Sequence, residues 1–182
     1  SPYEQAFYMR GMCCYWMGRD EEAISICTDF LERYPDSRWA PEVLFSIGKQ
    51  EYNQDNYEMA ETNFVAFVEK YPGNQLADDA LLRAGIAASK RKEYVRAVGI
   101  FGRMAKEYPA SRKMAEARFH QADAKCELAD FSEAILICEE IINKYPDSEW
   151  VIPAWGRKGD CQFGMGAENR KRYEESIESY RV

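Results

Sequence analysis

The dipeptide Tyr-Pro occurs at Tyr34-Pro35, Tyr71-Pro72, Tyr108-Pro109 and Tyr145-Pro146, each 37 residues after the last. Other columns keep the same step. One reads Ala23, Ala60, Ala97, Ala134; another Gly11, Gly48, Gly85, Ala122, Gly159; a third Cys27, Phe64, Phe101, Cys138; a fourth Phe30, Phe67, Met104, Ile141. Parallel columns at one spacing mean that the chain repeats a structural unit, and a unit of this length buries its apolar face by stacking on its neighbours.

Each unit reads as two helices. Val43, Leu44, Ile47 and Gly48 recur at helical spacing, as do Ala60, Phe64, Phe67 and Val68. A polar turn lies between them, as at Asp55-Asn56 or Ala129-Asp130, and Asp130 with Glu133 fits a capping box. The proline after each tyrosine cannot continue the second helix, because it lacks an N–H and restricts the residue before it. Two residues later comes Ser37, Asn74, Ser111 or Ser148, each suited to cap the next helix. Gly48 and Ala60 leave room where the helices of a hairpin approach, and Phe64 and Phe67 fill the space toward the next. The expected fold is an all-α solenoid.

A small residue at Gly48, Ala60 twelve on, Phe64 four after that and Pro72 eight later resemble the signature of the tetratricopeptide repeat (TPR) family. The resemblance covers nearly the whole chain. It implies a right-handed α-solenoid of about five TPR-like hairpins, with repeats at approximately 1–37, 38–74, 75–111, 112–148 and 149–182 in a single domain. The 37-residue period exceeds the family's commonest length of 34, the extra residues lying in the Tyr-Pro-x-Ser connection. That longer form is similar to repeats of bacterial outer-membrane-protein assembly lipoproteins and of the periplasmic coordinator associated with the Tol–Pal system. The resemblance therefore implies a periplasmic or outer-membrane-associated setting, with the cytoplasm as the alternative.

The chain starts at a repeat boundary. Its fifth unit has an expanded turn, Gly164 to Arg172, and Ser176 takes the place of Ala134 after a five-residue insertion. The last helix stops at Val182, short of any Tyr-Pro. A piece of a longer array is expected, or an array whose ends are covered by a neighbour; self-association through the ends stays open.

With 31 Asp+Glu against 24 Lys+Arg the net charge is -7, which repels phosphate backbones, so no nucleic-acid partner is expected. The one tight basic cluster, Arg170-Lys171-Arg172, reads as a solvated loop. No apolar run approaches the roughly 20 residues that span a bilayer, so direct membrane insertion of this segment is not expected. The N-terminus shows no signal-peptide pattern.

Catalysis requires a nucleophile, a base and an orienting group converging on one pocket, and no such set is legible. His120 shares a column with Met9, Ser46, Arg83 and Arg157 and reads as a surface histidine. Gly164-Met165-Gly166 reads as a turn rather than a phosphate loop. No catalytic, cofactor-binding or metal-ligating residue is assigned, and no cofactor is expected. Of the six cysteines, Cys27 and Cys138 take core positions, while Cys13 and Cys161 share a column with Ala87 and Ala124. Cys126 falls in an inner-face column and Cys14 in a mixed one. Free, inert thiols are expected. A Cys27–Cys138 bridge is excluded, because three repeats separate the two by roughly 20 Å or more. Cys138 with Cys161 is conceivable in an oxidising compartment.

The TPR resemblance assigns the first helix of each hairpin to a concave inner groove. The residues so assigned are Tyr8, Met12, Tyr15 and Trp16, then Phe45, Lys49, Tyr52 and Asn53, then Ile86 and Lys90, and finally Asp123 and Glu127. Tyrosine and tryptophan give large contact area at low entropy cost, which suits a peptide or a partner helix. The column Tyr8, Phe45, Leu82, Phe119 is apolar throughout and also suits inter-repeat packing. The expected function is a protein-interaction scaffold binding a peptide or partner protein, in bacterial cell-envelope assembly by resemblance. The alternatives are a cytoplasmic TPR adaptor and a non-catalytic accessory domain of a larger enzyme.

Overall fold

Each Tyr-Pro ends a helix in the way its chemistry dictates. In the computed structural model, which describes residues 1–166 and 170–181, Tyr34, Tyr71, Tyr108 and Tyr145 close the second helices with φ near -130°. With ψ of 52–58° these residues have left the helical region, which a following proline disfavours for the residue before it. Among the described residues there are ten helices and no strand. The chain resolves into two compact units, Ser1–Arg91 and Lys92–Val182.

The first unit holds α1 (Pro2–Trp16), α2 (Asp20–Arg33), α3 (Ala40–Asn53), α4 (Tyr57–Lys70) and α5 (Ala77–Lys90). Each packs on the next in chain order. At Gly48 the helices α3 and α4 come close: a Cβ there would lie 2.9 Å from the Phe64 ring. Phe30, Phe64 and Phe67 are fully buried, each contributing roughly 1.5–3 kcal/mol by leaving water.

The second unit holds α6 (Tyr94–Glu107), α7 (Met114–Glu127), α8 (Phe131–Lys144), α9 (Val151–Gly164) and α10 (Arg170–Ser179). Again each helix packs on the next, and α7 also meets α9. Ser176 is buried and donates its hydroxyl to the Gly159 carbonyl at 3.0 Å. It thus sits against the glycine of its hairpin, where the repeat columns put it.

The turns that follow α1, α3, α5 and α7 share one device. Gly18, Asp55, Lys92 and Ala129 all have φ between 58° and 70°. At three of them the following N–H reaches back to close a Schellman motif: Arg19 to Cys14 O, Asn56 to Glu51 O, Asp130 to Lys125 O.

Several sequence expectations require correction. Ser37, Asn74, Ser111 and Ser148 do not cap the helices that follow, whose N-cap positions are Trp39, Leu76, Lys113 and Trp150. Their side chains instead accept from the backbone N–H two residues on, bracing a tight lead-in turn. Asp130 occupies the N-cap of α8 without a side-chain cap bond, and its carboxylate accepts from Lys125 Nζ at 2.7 Å. Arg170-Lys171-Arg172 opens α10 rather than forming a loop. Of the expanded turn, residues 167–169 lie outside the described residues, as does Val182. His120 is half-buried among Phe101, Phe119 and Trp150, with ring centroids 5.4–6.1 Å away, not on an open surface.

Candidate functional site

In the first unit, α1, α3 and α5 carry the side chains assigned to the inner face. Met12 and Phe45 are buried. Phe45 stands edge-on to Phe64 and Phe67, and the Arg83 guanidinium lies 5.8 Å above its ring. Tyr8 is half-buried and stacked on Trp39 at 5.4 Å. Its phenol is pushed up to about 12 by burial and by its hydrogen bond to Glu42. Tyr8 and Phe45 are thus engaged in packing with neighbouring rings.

The remaining residues of that face reach solvent. Trp16 is 67% exposed, and Asn53 and Lys90 are exposed. Tyr15 is half-buried with the Lys49 ammonium 5.5 Å from its ring centroid, a cation–π geometry. Tyr52 is half-buried and edge-on to Tyr57 at 5.1 Å, and burial raises its phenol pKa. Ile86 is half-buried, and Arg83 is tied to Asp79 at 3.0 Å. The accessible part of the first unit's face is therefore aromatic with cationic heads beside the rings.

The corresponding helices of the second unit present charge. Asp123 meets Arg157 at 2.5 Å, and Arg157 also reaches Asp160 at 3.6 Å. Tyr180 donates its hydroxyl to Asp160 at 2.6 Å. Burial raises the Asp123 pKa, with the Arg157 guanidinium opposing. Glu127 is exposed. Beside these lies a feature the sequence reading did not assign: Cys126 of α7 and Cys161 of α9 form a disulfide, with Cα atoms 6.4 Å apart. Free thiols were expected at both, and Cys138 was the conceivable partner of Cys161. Cys138 instead lies with Ala122, Ile137, Ile141 and Ala154, away from the Ala134–Ile135 cluster that holds Cys161.

Phe163 is a further aromatic side chain open to solvent, 61% exposed. It continues the column Tyr15, Tyr52, Ser89, Cys126, so one more step of 37 finds it. Among the described residues no group of three or more His, Cys, Asp or Glu is placed to hold a metal ion, and no helix is long and apolar enough to cross a membrane.

Residues 40–157 match the family described as YfiO, outer membrane lipoprotein, and residues 5–37 match a tetratricopeptide repeat. No curated protein matches the chain. Among solved structures it is similar to MamA from Desulfovibrio magneticus RS-1, with a TM-score of 0.72 and 18% identity over 100% of this chain and 97% of that one. Another MamA structure gives a TM-score of 0.74 at 20% identity, covering 100% of this chain and 94% of that one. A tetratricopeptide repeat protein from Parabacteroides merdae gives 0.71 at 12% identity, covering 99% and 73%. Likeness at these identities shows the fold, and the fold is the all-α, tetratricopeptide class that the columns imply.

Proposed function

The chain belongs to the YfiO family of outer membrane lipoproteins, and on that premise we propose that it is an envelope scaffold whose first unit grips a peptide segment of a partner protein. The observation that carries this reading is the exposed aromatic row on α1 and α3. Trp16 stands 67% exposed, Tyr15 and Tyr52 are half-buried, and Lys49 lies over Tyr15. A tryptophan at the open end of a helix gains nothing from the fold by facing water. Rigid aromatic anchors flanked by cations suit a segment that brings both apolar and carboxylate groups. Tyr8, Met12 and Phe45 act behind them as packing, while Asn53, Ile86 and Lys90 extend the same face. Asp123 and Glu127 give the second unit a charged face of its own.

Two observations support a periplasmic setting: the family match, and the disulfide, since such bonds persist in oxidising compartments. Four further cysteines are free, which is the feature favouring a cytoplasmic adaptor. Three of those four are buried and need no reducing surroundings to stay unpaired.

The test is Trp16→Ala with Tyr52→Ala. Immobilised wild-type chain is offered an envelope extract, the captured protein is identified by mass spectrometry, and its affinity for both forms is measured by calorimetric titration. The double variant should bind at least about tenfold more weakly, as loss of an aromatic anchor costs about 2 kcal/mol or more, with unchanged circular dichroism. Equal affinity of both forms would discard the aromatic face as the site.

A further inference from the structure

The disulfide has two unequal ends. Cys126 is half-buried in the last turn of α7, in the column that also holds Tyr15, Tyr52 and Ser89. Cys161 is 0% exposed and lies in an apolar cluster with Ala134 and Ile135, capped by Phe131 and Met165. Of the two residues only Cys126 has exposed surface, so an incoming thiolate or disulfide approaches from its side. The other must act from inside.

We propose that Cys126 and Cys161 form a thiol–disulfide exchange site of fixed direction, in which Cys126 is the entry thiol and Cys161 the resolving thiol. The co-reactant is a protein disulfide of the thiol-oxidoreductase class. The Cys126 thiolate attacks one sulfur of that disulfide, forming a mixed disulfide and expelling the oxidoreductase's first thiolate. The Cys161 thiolate then attacks Cys126 Sγ, closing the bridge and expelling the second. Two electrons pass to the oxidoreductase, and the two thiol protons pass to solvent. Reduction runs the same path backward, with the external thiolate attacking Cys126 Sγ and Cys161 leaving.

The backbone is placed for the closing step. α7 and α9 pack together, and the two Cα atoms are 6.4 Å apart, within the span a disulfide bridges. The other cysteines do not compete for it. Cys27 and Cys138 are buried in other clusters, the first with Phe30 and Val43 and the second with Ile137 and Ile141, away from the one around Cys161. Cys14 is buried and Cys13 is exposed, and both belong to the first unit.

The direction is tested with glutathione disulfide as the probe, on reduced full-length chain, with acid quenching and peptide mass spectrometry. Two variants suit their columns. Cys161→Ala takes the residue found at Ala87 and Ala124, and Cys126→Ser the one found at Ser89. In wild type the Cys126–Cys161 bridge should form with no adduct retained on either. Cys161→Ala should retain glutathione on Cys126. Cys126→Ser should leave Cys161 unmodified until urea is added. Cys13 should take the adduct in all three and so report that the reagent works. As a check that needs no variant, brief iodoacetamide treatment of reduced wild type should label Cys126 before Cys161. Glutathione on Cys161 in folded Cys126→Ser, equal labelling of the two thiols, or a wild type modified at Cys13 without bridging would each overturn the proposal.

Discussion

In the second hairpin Phe45 stands edge-on to Phe64 at 5.4 Å and to Phe67 at 5.6 Å; two repeats later the same columns hold Phe119, Cys138 and Ile141. The second unit therefore has less ring to fill its interior. Phe119 leans on Trp150 at 4.9 Å, as Tyr8 does on Trp39 three repeats earlier, and His120 adds a stack against Phe101. The second unit also ties helices with charge. Arg118 of α7 pairs with Glu140 of α8, and Lys158 of α9 reaches Glu139 of α8 at 2.9 Å. The disulfide links α7 to α9. The backbone of a repeat is thus set by the small residues and the turn, while the filling between helices is negotiable. Both units combine rings with ion pairs between elements, Arg91 reaching the buried Glu61 at 3.0 Å in the first, and the second adds a covalent bond.

The sharpest way to break that comparison is to remove a ring from the first unit. Phe64 is fully buried and closes on Gly48, so Phe64→Ala should cost about 3–5 kcal/mol. Amide hydrogen exchange should show α3 and α4 losing protection first. Cys138, in the same column, lies in a cluster of Ala122, Ile137, Ile141 and Ala154. Cys138→Ala removes one sulfur and should cost about 1 kcal/mol, on the scale of one buried methylene plus its void. Equal losses at the two positions would mean that the second unit depends on its apolar filling as much as the first.

A smaller effect probes the charges. Arg118 and Glu140 are each about one-fifth exposed (21% and 21%). Burial pushes the Glu140 pKa up, but hydrogen bonds from Arg118 and Lys144 outweigh it and hold the carboxyl below its usual range. Arg118 also donates to Gln121, which in turn donates to the Val98 carbonyl. Arg118→Ala leaves Glu140 and Gln121 short of partners and should cost about 1–3 kcal/mol by urea denaturation. The triple change Arg118→Leu, Gln121→Ile, Glu140→Ala installs the residues found two repeats earlier at Leu44, Ile47 and Ala66. It should be neutral or stabilising, because the desolvation cost of the ions is removed together with their attraction. A triple variant weaker than Arg118→Ala would show that the network fixes the packing rather than merely tolerating it.

Which of these features the sequence displays follows from their range. The helices, the Tyr-Pro stops and the Gly48–Phe64 approach depend on neighbours within one period, so the columns carry them. Ser37 and its counterparts were misplaced because a hydroxyl two residues ahead of a backbone N–H serves a turn as well as a cap, and only the backbone decides. Cys126–Cys161 depends on how α7 meets α9. Its separation of 35 is two short of the period, an offset between neighbouring helices that no column displays. For His120 the column gave a wrong environment: Met9, Ser46, Arg83 and Arg157 are its counterparts, but Trp150 and Phe101 cover it. Register groups Met12, Phe45 and Trp16 on helices one period apart, whereas the burial of Met12 and Phe45 and the openness of Trp16 are set by side-chain packing.

The smallest expected effect lies in one turn of each unit, where Gly18 in the first and Ala129 in the second differ by a hydrogen-to-methyl change. Gly18 and Ala129 occupy the same column, with φ of 70° and 58°, and both donate their N–H to a carbonyl three residues back, Tyr15 O and Cys126 O. A Cβ in this left-handed region crowds the following carbonyl at roughly 1–2 kcal/mol, against which glycine loses roughly 0.5–1 kcal/mol of chain entropy on folding. Nothing lies within 4 Å of where a Gly18 Cβ would stand, so contacts add nothing to the difference. Gly18→Ala should therefore destabilise the first unit by about 0.5–1 kcal/mol, and Ala129→Gly should stabilise the second by a similar amount, read as opposite shifts in the urea midpoint. If both shifts have the same sign, the turns are not equivalent, and the repeat extends less faithfully into the second unit than its backbone angles imply.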